Sequence, residues 1–447
     1  MRRLLIANRG EIAVRIAKSA RALGIETVAI ASEADRDSLA TRVADRSVVI
    51  GPAAAKDSYL NADAVLAAAK ETGCDAVHPG YGFLSENAGF ARAVQAAGLI
   101  WVGPDPDTIE LMGDKSNAIR AARAAGVPVL AGSGGPLGPD DDAIEIARRV
   151  GYPLLVKASA GGGGRGIRHV ADESELLSTI ELAQTEAGSV FGDPSVYLER
   201  FVSHARHVEV QLLGDGVDCI HLGDRDCSLQ RRSQKVIEEA PAPSIPDHVR
   251  EQMRASSVHL AVSSGYRGAG TVEFLYDAER EEAAFIEMNT RLQVEHTITE
   301  EVAGIDLVAE QLRIADGGAL GLTQSDVNLN GHSIECRINA EDPSQGFFPS
   351  PGVISVLDWP AGTRADAGFE AGDTVAPFYD SMIAKLIVHA PTRDGAIAAM
   401  RAALQGTRIE GIKTTIPLHL RLLEDPAFLA IEHHTKTIES GTILEEL

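Results

Sequence analysis

The chain has 447 residues, of which 45% are hydrophobic, and its formal net charge is −23. This length predicts roughly two to four globular domains, and the acidic balance argues against nucleic acid as a partner, because phosphate backbones are bound by basic surfaces. No apolar run approaches a membrane span, and the first residues turn polar too early for a signal peptide. We therefore expect a cytoplasmic protein with no membrane partner. The four cysteines form no CxxC pair, which indicates neither a disulfide framework nor a zinc site.

The first hundred residues alternate between short apolar runs and helical patterns. A helix is predicted from about Gly10 to Leu23, and strands are predicted at residues 3–7, 26–32, 48–50, 76–78 and 99–102. This alternation indicates a parallel sheet with helices on both faces, of the nucleotide-fold type. The first strand-to-helix turn does not read GxGxxG, so no dinucleotide site is predicted there.

A connector and a glycine-rich stretch follow. Residues 107–126 predict a helix that is broken near Lys115. By itself, Lys115 resembles an ordinary surface lysine. Residues 131–140 predict a flexible hinge. Residues 158–166 read ASAGGGGRG between two strand patterns. Glycines let backbone N–H groups approach a polyanion closely, and Lys157 and Arg165 add positive charge. No GK[ST] opens a helix, so we predict a mobile hairpin that covers phosphates, with a plain flexible loop as the alternative.

Cations are concentrated between residues 224 and 241 of this acidic chain. Strand patterns at residues 196–202 and 206–211 precede them. Small anions are the expected ligands of this segment, and a charged solvated turn is the alternative. The four cations are Arg225, Arg231, Arg232 and Lys235.

A predicted β-hairpin joins residues 270–276 to a second strand through the polar turn 277–282. Antiparallel pairing across this turn places Glu273 roughly opposite Glu287. Two adjacent carboxylates repel each other, and a hard cation between them relieves the repulsion. The hairpin therefore predicts a Mg²⁺ site.

The second strand of this hairpin is predicted to continue to His296. Side chains alternate between the two faces of a strand, so five polar residues share one face, which is too polar for a core. We interpret this face as a functional site, and a solvated edge strand with alternating charges is the alternative. The five residues are Glu287, Asn289, Arg291, Gln293 and Glu295.

From residue 3 to beyond residue 410 the chain resembles biotin carboxylase, an enzyme of the ATP-grasp superfamily. Besides the glycine stretch, the resemblance rests on motifs that occur in the same order. They are NRGEIA at 8–13, HPGYGFLSEN at 78–87, MGDK at 112–115, RDCSLQRR at 225–232, EEAPAP at 238–243, EMNTRLQVEH at 287–296, ECRINAED at 335–342, YDSM at 379–382 and GIKT at 411–414.

The resemblance implies an α/β and α+β multidomain protein with an ATP-grasp site. The implied domains are a Rossmann-like N-terminal domain over residues 1–112, a mobile glycine-rich lid with its connector over 113–202, and an ATP-grasp core with a C-terminal antiparallel-sheet domain over 203–447.

The resemblance also implies a role for each matching position. Glu295 would be the general base, and Arg337 would stabilise the biotin enolate. Mg²⁺ or Mn²⁺ would be bound by Glu273 and Glu287 with support from Asn289. Bicarbonate would be bound by Lys235, Arg291, Gln293 and the backbone of Val294. ATP would be bound by Lys115, Lys157, Gly162, Gly163, Gly164, Gly166, Glu199, the backbone near Val202, His207 and Gln230.

The implied reaction is the ATP- and bicarbonate-dependent carboxylation of biotin through carboxyphosphate. The biotin carboxyl carrier protein and the carboxyltransferase are expected on separate chains, because no Met-Lys-Met biotinylation motif occurs before Leu447. The alternative is that this sequence is part of a longer polypeptide. A homodimer is typical of the family. Two alternatives remain: another ATP-grasp ligase that activates a carboxylate as an acyl phosphate, and a catalytically silent ATP-binding subunit.

Overall fold

The computed structural model describes residues 1–159 and 166–444, except for the side chains of Phe191 and Thr442. The chain divides into two compact units, one formed by residues 1–127 with residues from 206 onward, and one by residues 128–205. Gly162, Gly163 and Gly164 of the predicted phosphate-covering hairpin lie outside the described residues. In the described part of the chain, no helix is both long enough and apolar enough to cross a membrane.

A five-stranded parallel sheet forms the N-terminal region, as predicted. Its strand order is β3-β2-β1-β4-β5. Successive residues of β1 face opposite sides: Leu4 and Ile6 join one buried apolar cluster, whereas Leu5 joins another. The elements are β1 (Arg3–Ile6), α1 (Gly10–Ala22), β2 (Glu26–Ser32), α2 (Leu39–Val43), β3 (Arg46–Gly51), α3 (Ala62–Glu71), β4 (Ala76–His78), α4 (Ala88–Ala96), β5 (Ile100–Trp101), α5 (Pro106–Gly113) and α6 (Lys115–Ala124).

The predicted break near Lys115 is the boundary between α5 and α6. The Asp114 side chain accepts a hydrogen bond from the backbone N–H of Asn117, 2.8 Å away, and so caps α6. Lys115 is therefore the first residue of a new helix.

The smaller unit contains a three-stranded antiparallel sheet of order β7-β6-β8. β6 and β7 form the hairpin that was predicted for the strands flanking the glycine stretch. Leu154 and Val156 of β6 pack with Leu198 and the helices in one buried cluster. The elements are α7 (Ala143–Val150), β6 (Leu154–Ala158), β7 (Ile167–Val170), α8 (Glu173–Phe191) and β8 (Val196–Arg200).

An eight-stranded sheet of order β13-β12-β9-β10-β11-β14-β21-β19 dominates the larger unit. Its pairs β9–β10, β10–β11, β11–β14, β12–β13, β14–β21 and β19–β21 are antiparallel. The elements up to residue 315 are β9 (Ala205–Asp215), β10 (Cys219–Arg231), β11 (Gln234–Ala240), α9 (Asp247–Ser263), β12 (Arg267–Asp277), β13 (Glu282–Asn289), α10 (His296–Ala303) and α11 (Leu307–Ala315).

The last 113 residues that the structure describes complete this sheet and add short strand pairs. The elements are β14 (His332–Asn339), β15 (Glu341–Asp342), β16 (Phe348–Pro349), β17 (Gly352–Val353), β18 (Val356–Asp358), β19 (Arg364–Ala367), β20 (Thr374–Val375), β21 (Met382–Ala390), α12 (Arg393–Gly406), β22 (Arg408–Glu410), α13 (Ile416–Leu422), α14 (Pro426–Leu429) and α15 (Thr437–Ser440).

The predicted strand from Glu287 to His296 is wrong beyond Asn289. β13 ends at Asn289, and residues 290–295 form a loop that leads into α10. The backbone N–H of Thr290 donates to the Glu86 side chain, 3.1 Å away, and not to a neighbouring strand. Because Leu292 is fully buried in the apolar core, the chain leaves the sheet and turns inward at this point. We call residues 290–295 the site loop.

Candidate active site

A cavity of about 920 Å³ lies in the larger unit and contains most of the predicted site. All five polar residues predicted on one strand face line it, although only Glu287 and Asn289 belong to a strand. Val294, whose backbone the resemblance implies as a bicarbonate contact, also lines the cavity. The predicted site residues in its wall are His207, Gln230, Lys235, Glu273, Glu287, Asn289, Arg291, Gln293, Val294, Glu295 and Arg337.

Glu295 is buried between two cations. Its Oε1 accepts a short hydrogen bond from Lys235 Nζ, and its Oε2 accepts one from Arg337 Nη2, 2.9 Å away. Burial by itself would raise the pKa of this carboxyl, but Lys235 and Arg337 outweigh burial and hold the pKa well below its usual range. Glu295 is therefore ionised at neutral pH and can accept a proton.

Lys235 is shared among carboxylates. Its Nζ donates to Glu209 Oε2 at 2.7 Å and to Glu273 Oε1 at 3.4 Å, in addition to Glu295. Burial lowers the pKa of Lys235, but Glu209, Glu295 and other nearby groups raise it well above its ordinary value. This lysine is a permanent cation in the cavity wall.

Arg337 joins Glu295 to a second buried carboxyl. Its Nε donates to Glu238 Oε1 at 2.6 Å. Burial, with the charge of Glu295 and against that of Arg337, raises the pKa of Glu238 from 4.5 to about 7. Arg337 thus has one partner that is ionised at neutral pH and one that titrates close to it.

Glu273 and Glu287, the predicted metal ligands, pair across two strands as expected. Glu273 lies directly opposite Glu287 across the β12–β13 pair, next to a bulge at Phe274. Partial burial and the charge of Glu273 raise the pKa of Glu287, whereas Lys115 lowers it. A cation between the two carboxylates would relieve this repulsion, and carboxylate oxygens are the ligands that Mg²⁺ prefers, so these residues fit the ion.

A second acidic cluster fits Mg²⁺ less well. Ligand atoms of His207, Glu209 and Glu273 lie within 4.8 Å of one another. Lys235 donates to both carboxylates of this cluster, whereas in the facing pair it donates to Glu273 and not to Glu287 among the described contacts. The third ligand of the cluster would also be a nitrogen atom. We therefore favour Glu273 and Glu287 as the metal pair.

Asn289 is predicted to support metal binding by Glu273 and Glu287, and only its side-chain oxygen could bind a cation. Asn289 Oδ1 accepts from Arg291 Nη2 at 2.7 Å, and Arg291 Nε donates to Glu86 Oε2 at 3.0 Å. Arg291 is thereby oriented in the cavity wall by a carboxylate and an amide. Its role in binding an anion stays a prediction.

The predicted nucleotide contacts are divided between the two units. His207 Nδ1 lies 3.3 Å from Gln230 Nε2, and His207 Nε2 lies 3.0 Å from Glu273 Oε2. In the smaller unit, Lys157 Nζ donates to Glu199 Oε1 at 2.6 Å. Gly166 and Val202 also lie in that unit, whereas Lys115 lies in the larger one.

The cationic segment is not a single anion site. Among its four cations only Lys235 lines the cavity. Arg231 packs over the ring of Phe347, 3.7 Å from its centroid, and the backbone N–H of Arg232 donates to Glu439. Arg225 is fully buried. Only Lys235 of the four cations is therefore placed to meet an anion in this cavity, and anion binding by the segment stays a prediction.

Arg225 is a structural brace that the sequence did not reveal. It donates to Glu209 at 2.6 Å, to Gln211 at 2.6 Å and to the side-chain oxygen of Gln293 at 2.7 Å. Gln293 in turn donates to Glu273 Oε1 at 2.7 Å. Glu209 and Gln211 lie on one face of β9, and the strand pattern predicted at residues 206–211 carried no sign that a guanidinium from β10 would bind both of them.

Three family models match the chain. They are described as "Biotin carboxylase, N-terminal domain" over residues 1–109, "Carbamoyl-phosphate synthase L chain, ATP binding domain" over residues 114–323, and "Biotin carboxylase C-terminal domain" over residues 335–440. With gaps at residues 110–113 and 324–334, they span the region in which the sequence motifs occur.

Similar proteins cover nearly the whole chain. Biotin carboxylase 1 of Bacillus subtilis is 50% identical over an alignment of 447 residues, and the match covers 99% of this chain and 99% of that one. Biotin carboxylase of Pseudomonas aeruginosa is 53% identical over 432 residues, 96% of each chain. The biotin carboxylase domain dimer of Hydrogenobacter thermophilus 2-oxoglutarate carboxylase, solved with MgADP, ADP and bicarbonate, has a TM-score of 0.85 and 45% identity, and the match covers 99% of this chain and 98% of that one.

Proposed function

The chain belongs to the biotin carboxylase family, and from this premise we propose how its residues carry out the ATP- and bicarbonate-dependent carboxylation of biotin. The products are carboxybiotin, ADP and phosphate. The observation that carries the assignment of roles is the buried, ionised Glu295 between Lys235 and Arg337 in the main cavity.

The first step activates bicarbonate. Glu295 accepts the proton of the bicarbonate hydroxyl, and the resulting oxygen attacks the γ-phosphorus of ATP, so that ADP leaves and carboxyphosphate forms. Lys235, Arg291, Gln293 and the backbone N–H of Val294 hold the bicarbonate. Two of these are cations, which suits an anionic substrate that becomes more negative during the step.

The proposed nucleotide contacts are those that the resemblance implies. Lys115 and Lys157 pair with the phosphates, while Glu199, Val202, His207 and Gln230 contact the rest of the nucleotide. Mg²⁺ at Glu273 and Glu287, with Asn289 nearby, would neutralise charge on the phosphates. The hairpin with Gly162, Gly163, Gly164 and Gly166 would exclude water from carboxyphosphate.

The second step transfers the carboxyl group to biotin. Carboxyphosphate breaks down to CO₂ and phosphate, and the phosphate takes the proton from the ureido nitrogen of biotin. Arg337 stabilises the enolate that forms, because a guanidinium can donate two N–H groups to an oxyanion. The nitrogen then attacks CO₂ to give carboxybiotin.

The partners follow from this reaction. Biotin is delivered on a carrier protein, and a carboxyltransferase uses the carboxybiotin, so we propose that both are further components of the complex. We also propose that the chain forms a homodimer, for which the dimeric H. thermophilus domain is the support. Light scattering on the purified chain tests the dimer.

The decisive experiment measures ADP release by the purified chain with Mg²⁺, with and without bicarbonate, and with and without free biotin. We expect turnover that requires bicarbonate and rises with biotin. Glu295→Gln should lower this turnover by at least about 100-fold, because loss of a general base costs 10²- to 10⁴-fold, while ADP binding persists. The matched control is Glu282→Gln, which changes an exposed glutamate at the other end of β13.

Three outcomes would contradict the proposal. Turnover that is indifferent to bicarbonate would indicate another ATP-grasp ligase. Binding of ATP without turnover would indicate a silent subunit. Full activity of Glu295→Gln would remove this residue as the base.

A further inference from the structure

Two buried basic side chains outside the predicted site hold the backbone of the site loop. Lys385 lies in the middle of β21, and its Nζ donates to the carbonyl oxygen of Val294 at 2.7 Å. His296 is the first residue of α10, and its Nδ1 is 2.7 Å from the carbonyl oxygen of Gln293. Both side chains are fully buried, and neither lines the cavity.

These two contacts orient consecutive peptide groups. A peptide bond is planar, so a carbonyl fixes the direction of the N–H that follows it. The Gln293 carbonyl shares its plane with the N–H of Val294, which is the proposed bicarbonate donor. The Val294 carbonyl shares its plane with the N–H and Cα of Glu295, the proposed base. His296 therefore orients one group that meets bicarbonate, and Lys385 orients the other.

The His296 contact defines a single tautomer. A carbonyl oxygen can only accept, so the proton of the neutral imidazole resides on Nδ1. Burial, with the charges of Lys385 and Arg15, holds the pKa of His296 well below its ordinary value, so the ring is neutral at physiological pH. His296 Nε2 has no hydrogen-bond partner among the described residues. Among the described residues, the imidazole ring therefore makes its hydrogen bond to the site loop, through Nδ1.

Lys385 connects the site loop to two other residues of the cavity wall, Glu11 and Tyr81. Its Nζ lies 3.3 Å from Glu11 Oε1, which also accepts a short hydrogen bond from the Tyr81 hydroxyl. Glu11 and Tyr81 both line the cavity. Asp366 is the neighbour of Lys385 in the β19–β21 pair and supplies a further negative charge. A buried ammonium group is stable only with such partners, so its position is well defined.

We propose that Lys385 and His296 are positioning residues for bicarbonate, which hold the two peptides on either side of Val294 so that its N–H and the Glu295 carboxylate meet the same ion. This inference rests on the proposed function and extends it to two side chains that do not touch substrate. The competing explanation is that both residues only stabilise the fold.

Steady-state ADP release by the full chain separates these explanations. We expect Lys385→Met and His296→Leu each to lower kcat/KM for bicarbonate roughly 10- to 100-fold, because a misplacement of about 1 Å costs on the order of 100-fold in rate. The KM for ATP should stay within about twofold of the wild-type value, because the nucleotide contacts are made by other residues. A thermal melt of each variant measures the accompanying loss of stability.

Two further variants distinguish positioning from folding. His296→Asn keeps a donor close to the position of Nδ1, so it should restore most of the bicarbonate kcat/KM that His296→Leu loses. Asp366→Asn removes a charge beside Lys385 but leaves the hydrogen bond to Val294, so it should lower the melting temperature without changing the KM for bicarbonate.

The inference is overturned if Lys385→Met and His296→Leu melt earlier but keep the wild-type kcat/KM for bicarbonate. It is also overturned if His296→Asn is as impaired as His296→Leu, or if the KM for ATP rises as much as that for bicarbonate. Should Lys385→Met fail to fold, the two His296 variants decide. Wild-type protein that releases ADP without needing bicarbonate would instead overturn the proposed function, and this inference with it.

Discussion

The site is built on buried charges that neutralise one another. Glu295, Lys235 and Arg337 each contact at least two groups of opposite charge. Glu209 likewise accepts hydrogen bonds from two cations, Lys235 and Arg225. Removing one partner would leave an uncompensated buried charge, which costs about 3–5 kcal/mol. The same network keeps Glu295 ionised and Lys235 protonated, so the groups required for the proposed chemistry are present at neutral pH.

The pH dependence of folding stability that Glu238 contributes is a test of this network. Its pKa is about 7 in the folded protein against an ordinary value of 4.5, so the folded state binds this proton more tightly than the unfolded state does. The stability that Glu238 contributes is complete below pH 4.5 and is lost as the pH rises toward 7. In Glu238→Gln the part of the pH dependence of stability that comes from residue 238 disappears, because glutamine does not titrate.

Thermal melts of the wild type and Glu238→Gln between pH 4.5 and 8 test this prediction. Over the lower part of this range the wild type should lose melting temperature relative to the variant as the pH rises, and above pH 7 the difference should level off. Parallel curves for the two proteins would show that Glu238 does not titrate in this window.

At the scale of elements, the site loop is rigid because its backbone is anchored at several points. Glu86 binds the N–H of Thr290, Leu292 packs in the core, and Lys385 and His296 hold the next two carbonyls. A loop anchored in this way can position side chains as precisely as a strand does, and it can also turn Val294 toward the cavity, which a regular strand could not.

Leu292 is the apolar anchor of this loop. Leu292→Ala should lower the free energy of unfolding by about 2–5 kcal/mol, the usual cost of removing a fully buried leucine. Chemical denaturation measures this change. The control is Leu60→Ala, since Leu60 is 45% exposed and its truncation should cost less than about 0.5 kcal/mol. Equal costs for both variants would show that Leu292 is not an anchor.

At the scale of the whole molecule, the cavity is assembled from distant parts of the sequence. Its wall combines residues near Tyr81, residues of the eight-stranded sheet such as Glu273 and Arg337, and residues near Tyr379. A ligand that binds there contacts parts of the chain that unfolding would separate. Its binding free energy therefore adds to the stability of the whole fold.

Mg²⁺ and ADP should show this linkage in thermal melts. ADP at about 100 times its Kd is expected to stabilise the protein by about 2.7 kcal/mol. Mg²⁺ should add to the shift in the wild type and in Glu282→Gln. In Glu287→Gln the Mg²⁺-dependent part should be lost, because one of the two facing carboxylates is gone. An undiminished Mg²⁺ effect in that variant would place the ion elsewhere.

Local sequence patterns were sufficient to predict much of this fold. The parallel N-terminal sheet follows from the alternation of strands and helices, and the pairing of Glu273 with Glu287 follows from a short turn between two strands. Both depend on residues close in sequence, so periodicity and turn chemistry determine them. The sequence by itself also predicted Glu295 and Arg291 as site residues, and both line the cavity.

Only the tertiary structure decided where β13 ends and which charges become buried. Asn289 is the last residue of its strand because Glu86 and the core around Leu292 compete for the chain beyond it. Arg225 becomes a buried brace because Gln293 of the site loop joins Glu209 of the neighbouring strand around it. Lys385 becomes one because the Val294 carbonyl and Glu11, both distant in sequence, surround its ammonium group. Such contacts join residues far apart in sequence, and no local period or spacing encodes them.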